Sequence, residues 1–328
     1  MLKRGVAATA LLGTACAFFA GCGGSVYRTA TSARAAPAAR SRRADPRAGS
    51  GSTVNARAAR EPPPAPHLAV LAAAANSAGA AFAPVVRWHG HTAVWIARLN
   101  SGLTVLSFDK RLVRLTLHSG TVDAGGSGWP YGPAIVGRER RQLVAAFNGG
   151  FKLSVGAGGF MSGGRIAAPL RDGLGSIVTY ANGQTAIGAW NTEVPRRRLA
   201  IQSVRQNLTL LIDHGRLAST IDCHSCWGAT VGGAADVARS ALGITADGHL
   251  IWAAGQGLSV AALGDALLQA NVVRAVELYI NPDWVAGYLY PHAGGQRVGV
   301  IPIVPSQTGV AGFFLQPYSR DFFSILTR

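Results

Sequence analysis

Short apolar runs separated by tight glycine turns recur along this chain, and they constrain its fold more than any other feature. Residues 93–99 and 103–108 flank Asn100-Ser101-Gly102, residues 176–180 and 184–187 flank Asn182-Gly183, and residues 242–245 and 249–253 flank Asp247-Gly248. Asn-Gly and Asp-Gly supply the positive φ that short hairpin turns demand, so each pair predicts an antiparallel hairpin. Residues 208–212, followed by Asp213-His214-Gly215, read as a further strand and turn. Helical periodicity is confined to two places. Val260, Leu263, Leu267 and Asn271 trace one mostly apolar face behind Ser259 as N-cap, and residues 68–80 form an alanine-rich docking helix at the domain entry. The order strand, helix, strand over residues 250–280 adds one crossover. The expected class is α+β, mostly antiparallel hairpins with a few helices, in one globular domain over residues 67–328.

The preceding residues read as an address and a tether. Lys3 and Arg4 precede an apolar run over residues 6–20, the pattern of a secretory signal peptide. Phe19-Ala20-Gly21-Cys22 resembles a bacterial lipoprotein box, with Phe19 where Leu is usual, and predicts that Cys22 is the lipidated first residue of the mature chain. The run is shorter than the roughly 20 residues of a comfortable membrane span. Residues 23–66 are Ala, Arg, Pro, Ser and Gly and end in Glu61-Pro62-Pro63-Pro64, which predicts a disordered tether. Residues 1–66 hold half of the net charge of +16. A basic arm beside a lipid anchor suits an anionic membrane or wall polymer. Nucleic acid is not expected, because the chain lacks basic-aromatic interleaving and a helix-turn-helix signal. The expected location is extracytoplasmic, membrane-anchored or secreted.

The cysteines agree with that address. Cys16 lies in the signal segment and Cys22 at the lipid site, leaving Cys223 and Cys226 in Asp-Cys-His-Ser-Cys. Half a zinc site would need a second pair. A redox pair would want a helix N-terminus, which Trp227-Gly228 does not suggest. A local Cys223–Cys226 disulfide is therefore expected. His89, His91, His118, His224 and His292 form no spaced metal pair, so neither metal nor other cofactor is inferred.

The stretch AAFNGGF at residues 145–151 ends an apolar run abruptly in Asn148, Gly149, Gly150 and Phe151. Glycine tolerates positive φ and lets a ligand approach the main chain, while Asn148 offers a donor and an acceptor. Alone, the motif reads first as a hairpin turn. In company it says more. AAFNGGF, the Trp227-Gly228 pair, RSALGITADGHLIWAAG at 239–255, the helix with Leu263 and Leu267, and AVELYIN at 275–281 together resemble the phosphodiester glycosidase domain. That family includes the lysosomal uncovering enzyme and many exported bacterial proteins. The resemblance implies hydrolysis of a sugar-1-phosphate diester: the bond from the anomeric carbon to the phosphate oxygen breaks, releasing a free sugar and leaving a phosphomonoester. Under it, the planar fork of Arg239 would bind phosphate, the Gly149 and Gly150 amides would cradle phosphate or sugar oxygens, and Asn148 would hold a sugar hydroxyl. Arg239 could instead pair with Asp236, and Asp247-Gly248 reads as a turn.

One departure bears on activity. The family segment ends in Leu-Asp before Gly-Gly-Gly-Ser or Ile-Asn, whereas this chain has Leu278-Tyr279-Ile280-Asn281, with Tyr279 at the aspartate position. Alternation places Val276, Leu278 and Ile280 on one face and Glu277, Tyr279 and Asn281 on the other, which would face the site. Glycosidic chemistry typically uses two carboxyl groups, so Glu277 and Asp283 are the remaining candidates, Glu277 being alternatively a rim residue paired with Arg274. Tyr279, with a reference pKa of about 10, is a poor acid or base but a ring on which a sugar can stack. Two functional classes follow: a phosphodiester glycosidase, or a catalytically weakened relative that binds glycan or wall polymer. A structural lipoprotein without ligand is the third. Convergence of Asn148, Arg239 and Glu277 in one cleft is the discriminating observation.

Overall fold

The computed structural model describes residues 82–99, 102–228, 232–293, 296–297, 299–308 and 312–328. The chain divides into two units, Met1–Glu61 and Pro62–Arg328, and every described residue belongs to the second. The signal segment, Cys22, the tether and the alanine-rich helix at 68–80 lie outside the described residues.

The hairpin signals set the frame. An eight-stranded sheet runs in the order Ala83–Trp88, His91–Arg98, Thr104–Phe108, Leu250–Leu258, Val237–Thr245, Val272–Ile280, Ile212–Asp213, Arg216–Leu217. Its neighbours pair antiparallel throughout. The hairpins 91–98 with 104–108 and 237–245 with 250–258 are those the turns predicted, the second one longer than its turn signal alone indicates. Leu250–Leu258 and Val272–Ile280 flank Val237–Thr245 on either side, so the helix between them makes the expected crossover. That helix, Val260–Gln269, begins at Ser259, whose hydroxyl accepts from the Ala262 amide at 3.1 Å. Its Leu263 and Leu267 are fully buried, each stabilising the packing by about 2 kcal/mol.

Side-chain alternation divides the large sheet between two cores. Val105, Ile251 and Ala253 pack under the helix, while Leu106, Phe108 and Trp252 point the other way. There they meet a five-stranded sheet ordered Ile301–Pro302, Gly287–Leu289, Leu143–Asn148, Phe322–Thr327, Val113–His118. Phe147 stacks on Trp252 at 5.3 Å between centroids, joining the two sheets. A third sheet, ordered Arg165–Ala168, Phe160–Ser162, Ile201–Gln206, Gly175–Tyr180, Thr185–Ala189, contains the Asn182-Gly183 hairpin. Mostly antiparallel sheet with two α-helices among the described residues agrees with the α+β class.

The expected strand at 208–212 is shorter in the structure. Leu208 has a φ of 54°, which ends extended backbone, and pairing begins only at Ile212–Asp213. A 3-10 turn at His224–Trp227 was also unsignalled; Cys223 and Cys226 are disulfide-bonded at its start, and Trp227 is buried beneath the helix.

Candidate functional site

AAFNGGF supplies the fully buried strand Leu143–Asn148, bracketed by Gly287–Leu289 and Phe322–Thr327. Neither Gly149 nor Gly150 adopts the left-handed φ the sequence suggested. Close approach explains both. A Cβ on Gly149 would lie 2.1 Å from Asp321 Oδ2, and one on Gly150 would lie 2.6 Å from Arg205 Cζ. The Gly149 amide donates to the Asp321 carbonyl at 3.1 Å and the Gly150 amide to Asp321 Oδ2 at 3.2 Å. Both amides are thus turned to the protein's own aspartate. Asp321 is forked by Arg205, with Nε to Oδ2 at 2.8 Å and Nη2 to Oδ1 at 3.2 Å. Asn148 Nδ2 donates to Ser240 Oγ at 2.9 Å, which ties the ends of the two main sheets together.

The last strand carries the main correction. Tyr279 pairs with Ser240 but Glu277 pairs with Ala241, so one extra residue, Leu278, forms a bulge between them. The bulge breaks the expected alternation and puts Glu277 and Tyr279 on opposite faces. Glu277 turns toward the helix side. There Arg239 Nη1 donates to its Oε1 at 2.7 Å, and the same guanidinium donates to the carbonyls of Leu258 at 2.9 Å, Trp227 at 3.2 Å and Ala235 at 3.1 Å. Neither Asp236 nor Arg274 takes part; Arg274 binds Glu193, Asp213 and His214 instead. Those three carry potential ligand atoms within 4.8 Å of one another, and the Arg274 guanidinium is bonded to all three. Arg239 and Glu277 are 1% and 0% exposed. Burial pushes the Glu277 carboxyl up to about 7, against the pull of Arg239, and its Oε2 has no hydrogen-bond partner.

Tyr279 turns toward the interior between the sheets. Its hydroxyl accepts from Arg320 Nη1 at 3.1 Å, and its ring lies 5.3 Å from that of Phe151. Arg320 spreads over both Tyr279, at 4.9 Å from the centroid, and Trp284, at 5.5 Å. Its Nη2 donates to the Gly150 carbonyl at 3.1 Å, and its Nε lies 2.5 Å from Asp123 Oδ2. Asn281, with a φ of 127°, closes the following turn: its Oδ1 accepts from the Asp283 amide at 2.8 Å, leaving Asp283 exposed. Gly228 stands beneath, where a Cβ would lie 2.6 Å from Ile280 Cδ1 and 2.8 Å from the Phe151 ring.

Asn148, Gly149, Gly150 and Tyr279 therefore gather at one pole with Arg205, Arg320 and Asp321, while Arg239 and Glu277 form a separate sealed pair behind the sheet. Nothing in the sequence beyond position points to Arg205, Arg320 or Asp321, nor to Asn207, whose Oδ1 accepts from the Phe151 amide at 3.0 Å and whose Nδ2 donates to the Leu278 carbonyl at 3.0 Å. Arg320-Asp321 directly precedes the apolar strand 322–327, and Asn207 directly follows the strand 201–206.

No family model matches the chain, and no curated protein matches it. Among solved structures, the catalytic domain of zebrafish N-acetylglucosamine-1-phosphodiester alpha-N-acetylglucosaminidase, auto-inhibited by pro-peptide, is similar over 76% of this chain and 89% of that one, at 14% identity and a TM-score of 0.46. A hypothetical protein from Synechocystis is similar over 73% of this chain and 63% of its own length, under two thirds, at 14% identity and a TM-score of 0.39. A protein of Burkholderia pseudomallei K96243 described as exported is similar over 72% of this chain and 75% of its own, at 14% identity and a TM-score of 0.36. These are distant likenesses of fold.

Proposed function

We propose that this chain is an exported, hydrolase-like domain that binds phosphorylated glycan of the cell envelope at the pole around Asn148, Tyr279 and Arg320, without cleaving it. The observation that carries this reading is the Arg239–Glu277 ion pair, buried on the opposite sheet face from Tyr279. Glycosidic hydrolysis typically uses two carboxyl groups flanking the scissile bond. At this pole Asp321 is held by Arg205 and Asp123 by Arg320, and Tyr279 supplies a ring in place of an acid. Tyr279 and Arg320 are 8% and 6% exposed, so in this reading the sugar meets the exposed edge of the ring and the phosphate the rim of a guanidinium whose Nε is already paired with Asp123. In this reading Cys22 carries lipid and the basic tether lies along an anionic surface.

Hydrolysis is the second reading, and one observation favours it: Glu277 is raised to about 7 with a free Oε2, the state of a general acid near neutrality. One experiment separates the two. The full chain, Glu277→Gln and Tyr279→Asp are assayed for reducing sugar released from a panel of sugar-1-phosphodiesters, and binding of the same compounds is followed by calorimetry. Binding without release, with release appearing in Tyr279→Asp, is the expected result. Release by the native chain that Glu277→Gln abolishes would replace it with the enzyme reading, and absence of both binding and release would remove the assignment.

A further inference from the structure

At the far end of the strand that begins beside Asp321, the surface becomes strongly basic. Arg328 lies seven residues beyond Asp321, roughly 23 Å along an extended strand. It borders a cavity of about 550 Å³ whose walls also carry Lys110, Arg111, Arg114 and Arg196. A second cavity of about 390 Å³ shares Arg114, Asn182, Gly183 and Arg328 with the first, which makes the whole an elongated groove.

The charge in this groove is largely unneutralised. Arg328 donates to the carbonyls of Val113 at 3.0 Å and Gly183 at 2.7 Å, and Arg114 to the neutral Gln142 Oε1 at 3.3 Å. Arg111 is matched by Asp109 at 2.6 Å, and Asp247, the one carboxylate in the lining of the larger cavity, is lowered by its hydrogen bond from Thr245 and by the charges of His249 and Lys110, which leaves Arg114, Arg196 and Arg328 as the cations without a carboxylate in that lining. Burial, and next the charge of Arg114, hold Arg328 below the usual arginine value, so the two cations are near enough to repel one another. Neutral hydrogen-bonding groups, Asn182, Gln184 and Thr185, complete the wall. Arg114 is half-buried and the other cations stand exposed around the concavity, so with amides and a hydroxyl in its wall the place suits a hydrophilic anionic chain that meets charge at the rim and neutral hydrogen-bonding groups within.

We infer that the groove between Arg114 and Arg328 is a second ligand site, which binds a phosphate-bearing oligosaccharide. Guanidinium groups would fork the phosphates while Asn182 and Gln184 meet the sugar hydroxyls. The inference stands apart from the function proposed for Tyr279, because the two places lie at opposite ends of one strand.

The test is fluorescence anisotropy of the full chain with labelled dextran phosphate, using unlabelled dextran phosphate, phosphatidylglycerol vesicles and single-stranded DNA as competitors. Arg114→Gln combined with Arg328→Gln is expected to weaken binding about tenfold or more, and Gln184→Glu severalfold. Arg42→Gln combined with Arg43→Gln, equal in charge but in the tether, is expected to change it less than about twofold. Because Gln184 is exposed, its variant decides the matter if the arginine pair is needed for folding. Native affinity in Gln184→Glu, equal losses in the tether variant, or stronger competition by vesicles or DNA than by unlabelled dextran phosphate would overturn the assignment. Tyr279→Leu, which is expected to lose binding at the pole, is expected to leave this binding unchanged, and an equal loss here would overturn the separation of the two sites.

Discussion

Arg239 and Glu277 meet at 2.7 Å with both side chains sealed from solvent, and the Leu278 bulge keeps their contact behind the sheet that Tyr279 faces. A buried ion pair loses hydration for both partners and regains it only through mutual attraction and further hydrogen bonds. Arg239 has three carbonyl partners besides Glu277, so removing the carboxylate alone leaves a buried cation short of its counter-charge.

Glu277→Ala should therefore lower stability by about 3–5 kcal/mol, and Arg239→Met by a comparable amount. The double change Arg239→Met with Glu277→Leu should cost less than either alone. Urea unfolding of the four proteins gives the coupling energy directly. Additive losses would show that the two groups do not interact across the sheet.

Two buried groups should oppose one another in the pH dependence of stability. Burial raises Glu277 from 4.5 to about 7, so its contribution is complete below pH 4.5 and is lost as pH rises through 7. Burial lowers His118 from 6.5 to about 4, where it touches Ser324 Oγ at 2.9 Å and the Gly132 carbonyl at 3.1 Å. Its contribution is present above pH 6.5 and lost as pH falls through 4. Each spans about 3 kcal/mol, with opposite sign over nearly the same interval. Relative to the native chain, Glu277→Gln should lose stability on going from pH 7 to 4.5, and His118→Gln should lose it on going from pH 4 to 6.5. Urea midpoints at several pH values check both slopes, and parallel profiles in all three proteins would remove the account.

The glycines after Asn148 should be intolerant for a steric reason. Gly149→Ala forces a Cβ to within 2.1 Å of Asp321 Oδ2, and Gly150→Ala to within 2.6 Å of Arg205 Cζ. Each displaces a member of the buried Arg205–Asp321 fork, so losses of about 3 kcal/mol or more are expected. Gly132→Ala, with nothing within 4 Å of the added Cβ, should stay within about 0.5 kcal/mol. Thermal unfolding of the three variants is sufficient.

These contacts mark where the sequence could be read and where it could not. Hairpin turns, the Ser259 cap and the Cys223–Cys226 pair are local, and residues within a few positions of one another determine them. AAFNGGF was legible as a special place, but the cause of its glycines is Asp321, 171 residues away from Gly150. The Leu278 bulge arises from pairing with Ser240 and Ala241, so strand alternation read from residues 275–281 alone puts Glu277 on the site face beside Tyr279, whereas the two side chains lie on opposite faces. Arg205 and Asp321 lie 116 residues apart, and nothing in either neighbourhood announces the other.

Tyr279 is the residue on which function and structure separate most cleanly. Its hydroxyl accepts from Arg320, whose guanidinium also covers the Tyr279 and Trp284 rings. Tyr279→Phe removes one hydrogen bond to a buried cation and keeps the ring, so stability should fall by about 1–2 kcal/mol while stacking on a sugar survives. Tyr279→Leu removes the ring as well, and should lose the cation–π contact, worth about 1 kcal/mol, together with glycan binding. Tyr279→Asp brings a carboxylate beside Arg320, where the cation would hold it ionised. If the pole binds glycan through the ring, calorimetry with a sugar-1-phosphodiester should show native-like affinity in Tyr279→Phe and at least about a tenfold loss in Tyr279→Leu, with folding of both verified by unfolding curves. Equal affinity in the two variants would place the glycan elsewhere on the domain.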